Sequence, residues 1–249
     1  MQHTNDAPLL AHVLFMDIVG ATKLPTDEQR RILSRLRELV RASEEFQCAK
    51  ESNQLISVPT GDGMALAFFN RLDAAVLCAV EITKAIQAES LCKIRMGVHT
   101  GPVFVEEDIR GQPNLNGAGI NLAERVMSAG GDGHILVSET VAASLKQLGN
   151  WRGKIHEIGE CQVKDGWIRV WNLVDGPIGN AATPKKAKAL IMRRRWMLAG
   201  AFAALVLIVA AAAGSGALWF ERTGSKPPED QASIAVIPFT DMSPQKNQE

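Results

Sequence analysis

The chain has 249 residues, 46% of them apolar, and 27 basic side chains balance 27 acidic ones. That length holds one well-packed domain plus further segments, and a neutral chain without a basic patch interleaved with aromatics argues against binding nucleic acid. The four cysteines, Cys48, Cys78, Cys92 and Cys161, are far apart, with no CxxC pair and no histidine at ligand spacing, which argues against a disulfide frame or a zinc site and fits reduced, mostly buried thiols in a cytosolic domain.

Residues 1–11 read as a polar lead-in without a signal-peptide core. Val13 to Met16 is expected as a short buried strand that ends in a carboxylate, Asp17, followed by a turn through Gly20 and Thr22. A strand-end carboxylate can hold a divalent cation, and backbone N–H groups of such a turn can hold phosphates. Thr26 is expected to cap a helix in which Ile32, Leu36, Leu39 and Val40 recur at helical spacing. Two strands, 54–58 and 64–69, flank the tight turn Gly61-Asp62-Gly63, which presents a second carboxylate. Two such aspartates side by side are the usual protein share of a two-metal phosphoryl-transfer site.

Residues 73–88 read as a helix with Ala75, Leu77, Ala79, Ile82 and Ile86 toward the core. Residues 93–105 read as a strand broken between Gly97 and Gly101, and 106–116 as a polar hairpin arm. A helix over 117–129, a strand over 134–137, a helix over 139–148 and two late strands, 154–158 and 167–173, complete the pattern. The order strand–helix–strand–strand–helix–strand with additions points to a ferredoxin-like α/β sandwich on a mostly antiparallel sheet.

Residues 175–195 read as a basic linker. No charged residue occurs from Met197 to Phe220, and Trp196 and Trp219 stand at the two interface positions, so 196–220 is expected to be a transmembrane helix. Lys185, Lys186, Lys188 and Arg193 to Arg195 precede this run, against Arg222 and Lys226 beyond it. The excess of positive charge places residues 1–195 in the cytoplasm and makes the chain a single-pass protein of the bacterial inner membrane. The tail 221–249 is then extracytoplasmic, and Ser233 to Phe239 within it reads as one strand that needs partners.

Five motifs occur in one order: Phe15-Met-Asp17-Ile-Val-Gly20, Thr60-Gly-Asp62-Gly63, Arg95-Met-Gly-Val-His-Thr-Gly101, Ile120-Asn121-Leu-Ala-Glu-Arg125 and His134-Ile-Leu-Val-Ser138. Together, over about residues 12–174, they resemble the class III adenylate/guanylate cyclase catalytic domain, while Ser233–Phe239 with Thr240-Asp-Met-Ser243 is similar to the opening of TolB-like domains. The resemblance implies a homodimer that builds its sites from both subunits and converts ATP, less readily GTP, to the cyclic monophosphate and pyrophosphate. It implies that Asp17, Asp62 and the Ile18 carbonyl hold two Mg²⁺ or Mn²⁺ ions, and that Arg95 and Lys164 contact phosphate. It implies further that Asn121 orients the ribose from the partner subunit, while Arg125 stabilises the transition state. Gly20 and Thr22 fall in the phosphate-facing turn, where position 21 is Ala in place of the family's usual Phe. His99 is expected to shape its strand, since two-metal chemistry needs no histidine.

The chain departs from the family pattern where the base is read. The usual adenine-reading lysine position is Val58, and the arm position falls near Asn114, whose amide both donates and accepts and so discriminates poorly. Two readings follow: an active cyclase with an atypical purine pocket, or a catalytically silent module that binds nucleotide or dimerises in signalling.

Overall fold

The computed structural model describes residues 7–109, 111–164, 166–187 and 202–208. Its central strand is β1 (Leu9–Ile18), which alternates core contacts between two layers. Leu14, Met16 and Ile18 point into one cluster, and Ala11, Val13 and Phe15 into the other. A strand covered on both faces reads as an unbroken apolar run, and each large side chain so buried contributes about 1.5–3 kcal/mol.

The remaining elements are α1 (Thr26–Ala42), α2 (Glu44–Glu51), β2 (Leu55–Thr60), β3 (Gly63–Phe68), α3 (Ala74–Glu89), β4 (Ile94–Glu107), β5 (Pro113–Asn116), α4 (Ala118–Ala129), β6 (Ile135–Ser138), α5 (Glu139–Leu145), β7 (Ile155–Val163) and β8 (Gly166–Leu173). The sheet runs β2-β3-β1-β4-β6-β8-β7, with β5 forming an arm against β4. Every pairing is antiparallel except β4 with β6. α1, α2, α3 and α5 bury Leu36, Phe46, Ile82 and Val141 against one face, and α4 buries Ile120, Ala123 and Met127 against the other. This is the expected α/β sandwich on a mixed sheet.

Four local expectations need correcting. β4 is continuous through Gly97 and Gly101; the glycines mark where α4 presses on the strand, and the strand does not break there. Thr26 is the first residue of α1, and Pro25 occupies the cap without a side-chain bond. A separate helix, α2, follows α1, opened by Ser43, whose hydroxyl accepts from the Phe46 N–H at 3.3 Å. Of the cysteines, Cys78 and Cys161 are buried, Cys92 is half-buried and Cys48 is exposed, and burial pushes the Cys78 thiol up to about 12.

The segment after β8, where a linker was expected, lies along the domain as far as Ala187. Asn172 Nδ2 donates to the Asn180 carbonyl at 2.6 Å, and Asn180 Nδ2 donates to the Asp132 carbonyl at 2.7 Å. His134 Nε2 donates to the Ala182 carbonyl at 2.7 Å. Ile178 and Ala187 are buried, Ala187 among Val126, Ala129, Leu136 and Cys161.

Residues 197–249 form a second unit. Within it residues 202–208 are helical, with Phe202, Leu205, Val206, Leu207 and Ile208 exposed. Among the described residues no helix is long and apolar enough to cross a membrane. The rest of the expected span and the tail 221–249 lie outside the described residues.

Candidate active site

Asp17 and Asp62 meet at one end of β1 because the β2–β3 hairpin folds back on it. Gly63 pairs with Asp17, and a Cβ on Gly63 would come 1.9 Å from the Met16 carbonyl oxygen, so only glycine permits the approach. The Ile18 N–H donates to the Asp62 carbonyl at 3.3 Å, which fixes the turn beside the strand end.

Arg95 is the register partner of Asp17 on β4. Its Nε and Nη2 donate to Asp17 Oδ2 at 3.1 and 2.5 Å. Asp17 is only 6% exposed, and its second oxygen, Oδ1, is buried without a hydrogen-bond partner. Burial pushes the Asp17 carboxyl above its ordinary value; Arg95 opposes this, and the charge of Asp62 pushes it up again.

A buried acceptor without a partner costs about 1–3 kcal/mol, and a second carboxylate beside it adds repulsion. A cation would relieve both penalties. The donors are hard oxygens, which suit Mg²⁺ or Mn²⁺. Among the described residues no cluster of three or more His, Cys, Asp or Glu exists. Two carboxylates alone would make a partial shell of the kind that substrate phosphates complete. Gly20 sits in a left-handed turn with φ 78°, leading into the single 3₁₀ turn Ala21–Lys23, and Thr22 is exposed there.

Asn121 and Arg125 are carried by α4, with Asn121 at the end of the helix away from the carboxylates. Gly119 lies against Gly101 of β4, and Gly101 is six residues from Arg95 along the strand, roughly 20 Å at about 3.3 Å per residue. Asn121, one turn into α4 and exposed, therefore stands toward the opposite end of β4 from Asp17. Arg125 is half-buried one turn further on. Lys164 is exposed in the turn between β7 and β8. The structure thus unites Asp17, Ile18, Asp62 and Arg95, and carries Asn121 and Arg125 on α4 and Lys164 in the β7–β8 turn. His99 is buried, with Nδ1 2.9 Å from Ser138 Oγ and Nε2 against Gly101, in keeping with a shaping role.

Val58 and Asn114 do share a groove, a cavity of about 560 Å³ between β2 and the β4–β5 arm. Its lining also includes Pro59, Gln112 and Asp108. Asp108, whose Oδ1 accepts from the Gln112 N–H at 2.9 Å, escaped the sequence reading because the arm's length left its register open. The one available signal was a carboxylate just before the Gly111 turn of the arm.

A family model described as the adenylate and guanylate cyclase catalytic domain matches residues 10–175. Among solved structures, the adenylyl cyclase CyaB from P. aeruginosa is 22% identical, with a TM-score of 0.54 over 68% of this chain and 95% of that one. An adenylate/guanylate cyclase/hydrolase from Silicibacter pomeroyi is 26% identical, with a TM-score of 0.52 over 68% and 98%. The catalytic core of a rhodopsin-guanylyl cyclase with converted specificity, in complex with ATPαS, is 22% identical, with a TM-score of 0.54 over 70% and 98%. No curated protein matches. With its carboxylate pair at the end of β1 and a family match across the whole sandwich, the chain belongs to the adenylate and guanylate cyclase catalytic domain family, the class III nucleotidyl cyclases.

Proposed function

We propose that the chain is a membrane-anchored, homodimeric nucleotidyl cyclase of the bacterial inner membrane that converts ATP, and less readily GTP, to the 3′,5′-cyclic monophosphate and pyrophosphate. The observation that carries the reading is the unpartnered, buried Oδ1 of Asp17 beside Asp62 and Arg95. When bound, Mg²⁺ or Mn²⁺ ions acidify the ribose 3′-hydroxyl and neutralise the triphosphate. Asp17, Asp62 and the Ile18 carbonyl would hold them. Arg95 is the cation next to the phosphates.

The ribose-orienting Asn121 and the transition-state Arg125 come from a second copy, since α4 holds Asn121 toward the far end of β4 from its own Asp17. Lys164 approaches the triphosphate from its hairpin turn. The anchor is the apolar run at 196–220, with the catalytic unit on its basic, cytoplasmic side.

The base lies in the groove of Val58, Asn114 and Asp108. A carboxylate there accepts from the exocyclic amino group of adenine, which favours ATP, while Val58 withholds the complementary donor and loosens the selection. Val58→Lys restores that donor. It is expected to lower the KM for ATP roughly tenfold, the effect of one hydrogen bond to a charged group, and to leave the KM for GTP unchanged. Steady-state kinetics on both nucleotides check this.

The second reading, a silent nucleotide-binding or dimerising module, is favoured by Val58 and Asn114 at the base-reading positions. Incubating the full chain in detergent with Mn²⁺ and either ATP or GTP, and identifying the product by mass spectrometry, separates the two. Cyclic AMP in excess of cyclic GMP is expected. Cyclic GMP alone would overturn the base assignment, and no cyclic product from a dimeric preparation would establish the silent module.

A further inference from the structure

The C-terminal segment brings a cation to the phosphate end of the site. α4 runs antiparallel to β4: Gly119 meets Gly101, and a Cβ on Gly97 would come 2.2 Å from the Met127 nitrogen. The next residue of α4, Ser128, therefore lies where the strand continues toward Arg95. Lys186 reaches this point from the segment after β8, donating from Nζ to the Ser128 carbonyl at 2.6 Å. It is held there from both sides, since its neighbour Ala187 is buried between α4 and the β6–β8–β7 part of the sheet, and Ala182 is tied to His134.

Arg95 has a counter-charge, Asp17. Among the described residues Lys186 has no carboxylate, only the neutral Ser128 carbonyl. Burial first, and then the positive charge of Arg95, pushes the Lys186 ammonium below its ordinary value. Lys186 is exposed, tethered by its buried neighbour Ala187 on the side of α4 that leads toward Arg95, and an anion between the two like charges removes the cost of their repulsion.

The geometry points to Lys186 as a polyphosphate-binding residue, which acts with Arg95 on the tail of the nucleoside triphosphate and is delivered by the segment that leads to the apolar run. The identity of the ligand rests on the cyclase reading; the presence of an anion site does not. Nothing in the motif order predicts it, because Lys186 lies after the last motif and among other lysines.

The test uses the full chain in detergent with Mg²⁺ and inorganic tripolyphosphate, followed by calorimetry. Lys186→Ala is expected to weaken tripolyphosphate binding roughly tenfold and to raise the KM for nucleotide by a similar factor, with kcat little changed. Lys186→Arg, which keeps the charge, is expected to restore both, and Lys185→Ala, in an exposed neighbour, to leave both unchanged. A Lys186→Ala chain that melts earlier yet binds tripolyphosphate as tightly as the wild type would overturn the proposal and leave Lys186 as a cap of α4. Wild-type protein that does not bind tripolyphosphate would also overturn it. Binding that depends on Lys186 in a chain without turnover would sustain the anion site and defeat the cyclase reading alone.

Discussion

Replacing Asp17 by alanine is expected to lower kcat by roughly 10³-fold or more, without unfolding the chain. An ion held there would supply several kcal/mol of charge stabilisation, and each 1.36 kcal/mol is a factor of ten. The side chain contributes little to the fold by comparison: one oxygen pairs with Arg95 and the other has no partner. Removing a buried carboxylate that carries its own desolvation cost offsets part of the lost ion pair. The measurement is single-turnover product formation together with a thermal melt, and a chain that keeps even a tenth of its activity would place the metal elsewhere. The division of labour between β1 and α4 sharpens the expectation. Asp62→Ala and Arg125→Ala chains should each be inactive, and mixing them should restore one site in each mixed dimer, roughly a quarter of wild-type activity with random pairing. Failure to recover activity in a confirmed mixed dimer would show that one chain supplies the whole site.

Gly97→Ala should damage both stability and chemistry. The added Cβ would stand 2.2 Å from the Met127 nitrogen and 2.7 Å from the Ala123 carbonyl oxygen, both backbone atoms that no rotamer change can move aside. α4 has to lift from β4 as a body. Overpacking of this kind costs about 2–3 kcal/mol, a fall in Tm of roughly 5–10 °C for a domain of this size. The helix carries Asn121 and Arg125 with it, and a displacement of about 1 Å costs on the order of a hundredfold in rate. Melting curves and kcat measured well below the transition separate the two effects. Normal kcat in a merely less stable protein would show that the position of α4 does not govern the reaction.

What was legible in the sequence follows from how each feature is encoded. β1 and the Asp62 turn are written in side chains, an unbroken apolar run and a Gly-Asp-Gly turn, while Arg95 came from the motif order that carries the resemblance. Val58 and Asn114 came from the family pattern, and the structure lines one groove with both. Gly97 was visible but misread, because a glycine within a strand signals a break as readily as a close approach, and only the position of α4 decides between them. α2 is eight residues long, too short for its periodicity to stand out beside α1, so Ser43 followed by Glu44 and Glu45 was its only mark. The segment after β8 was the least legible. Its composition of Gly, Pro, Asn and Lys is that of a linker, and its anchors are backbone carbonyls, those of Asn180 and Ala182 within it and of Asp132 and Ser128 on the domain. A carbonyl is common to every residue and leaves no trace in composition.

β2 lies at the margin of the sheet, paired only with β3, whereas Asp17 and Arg95 lie on the central strands β1 and β4. A replacement at Val58 disturbs one strand neighbour and an open groove; a replacement at Asp17 disturbs the middle of the molecule. On the proposed base assignment, the choice of purine can be altered cheaply and often, while the phosphate chemistry stays fixed. A chain of this design can change the messenger it makes without relearning how to make one.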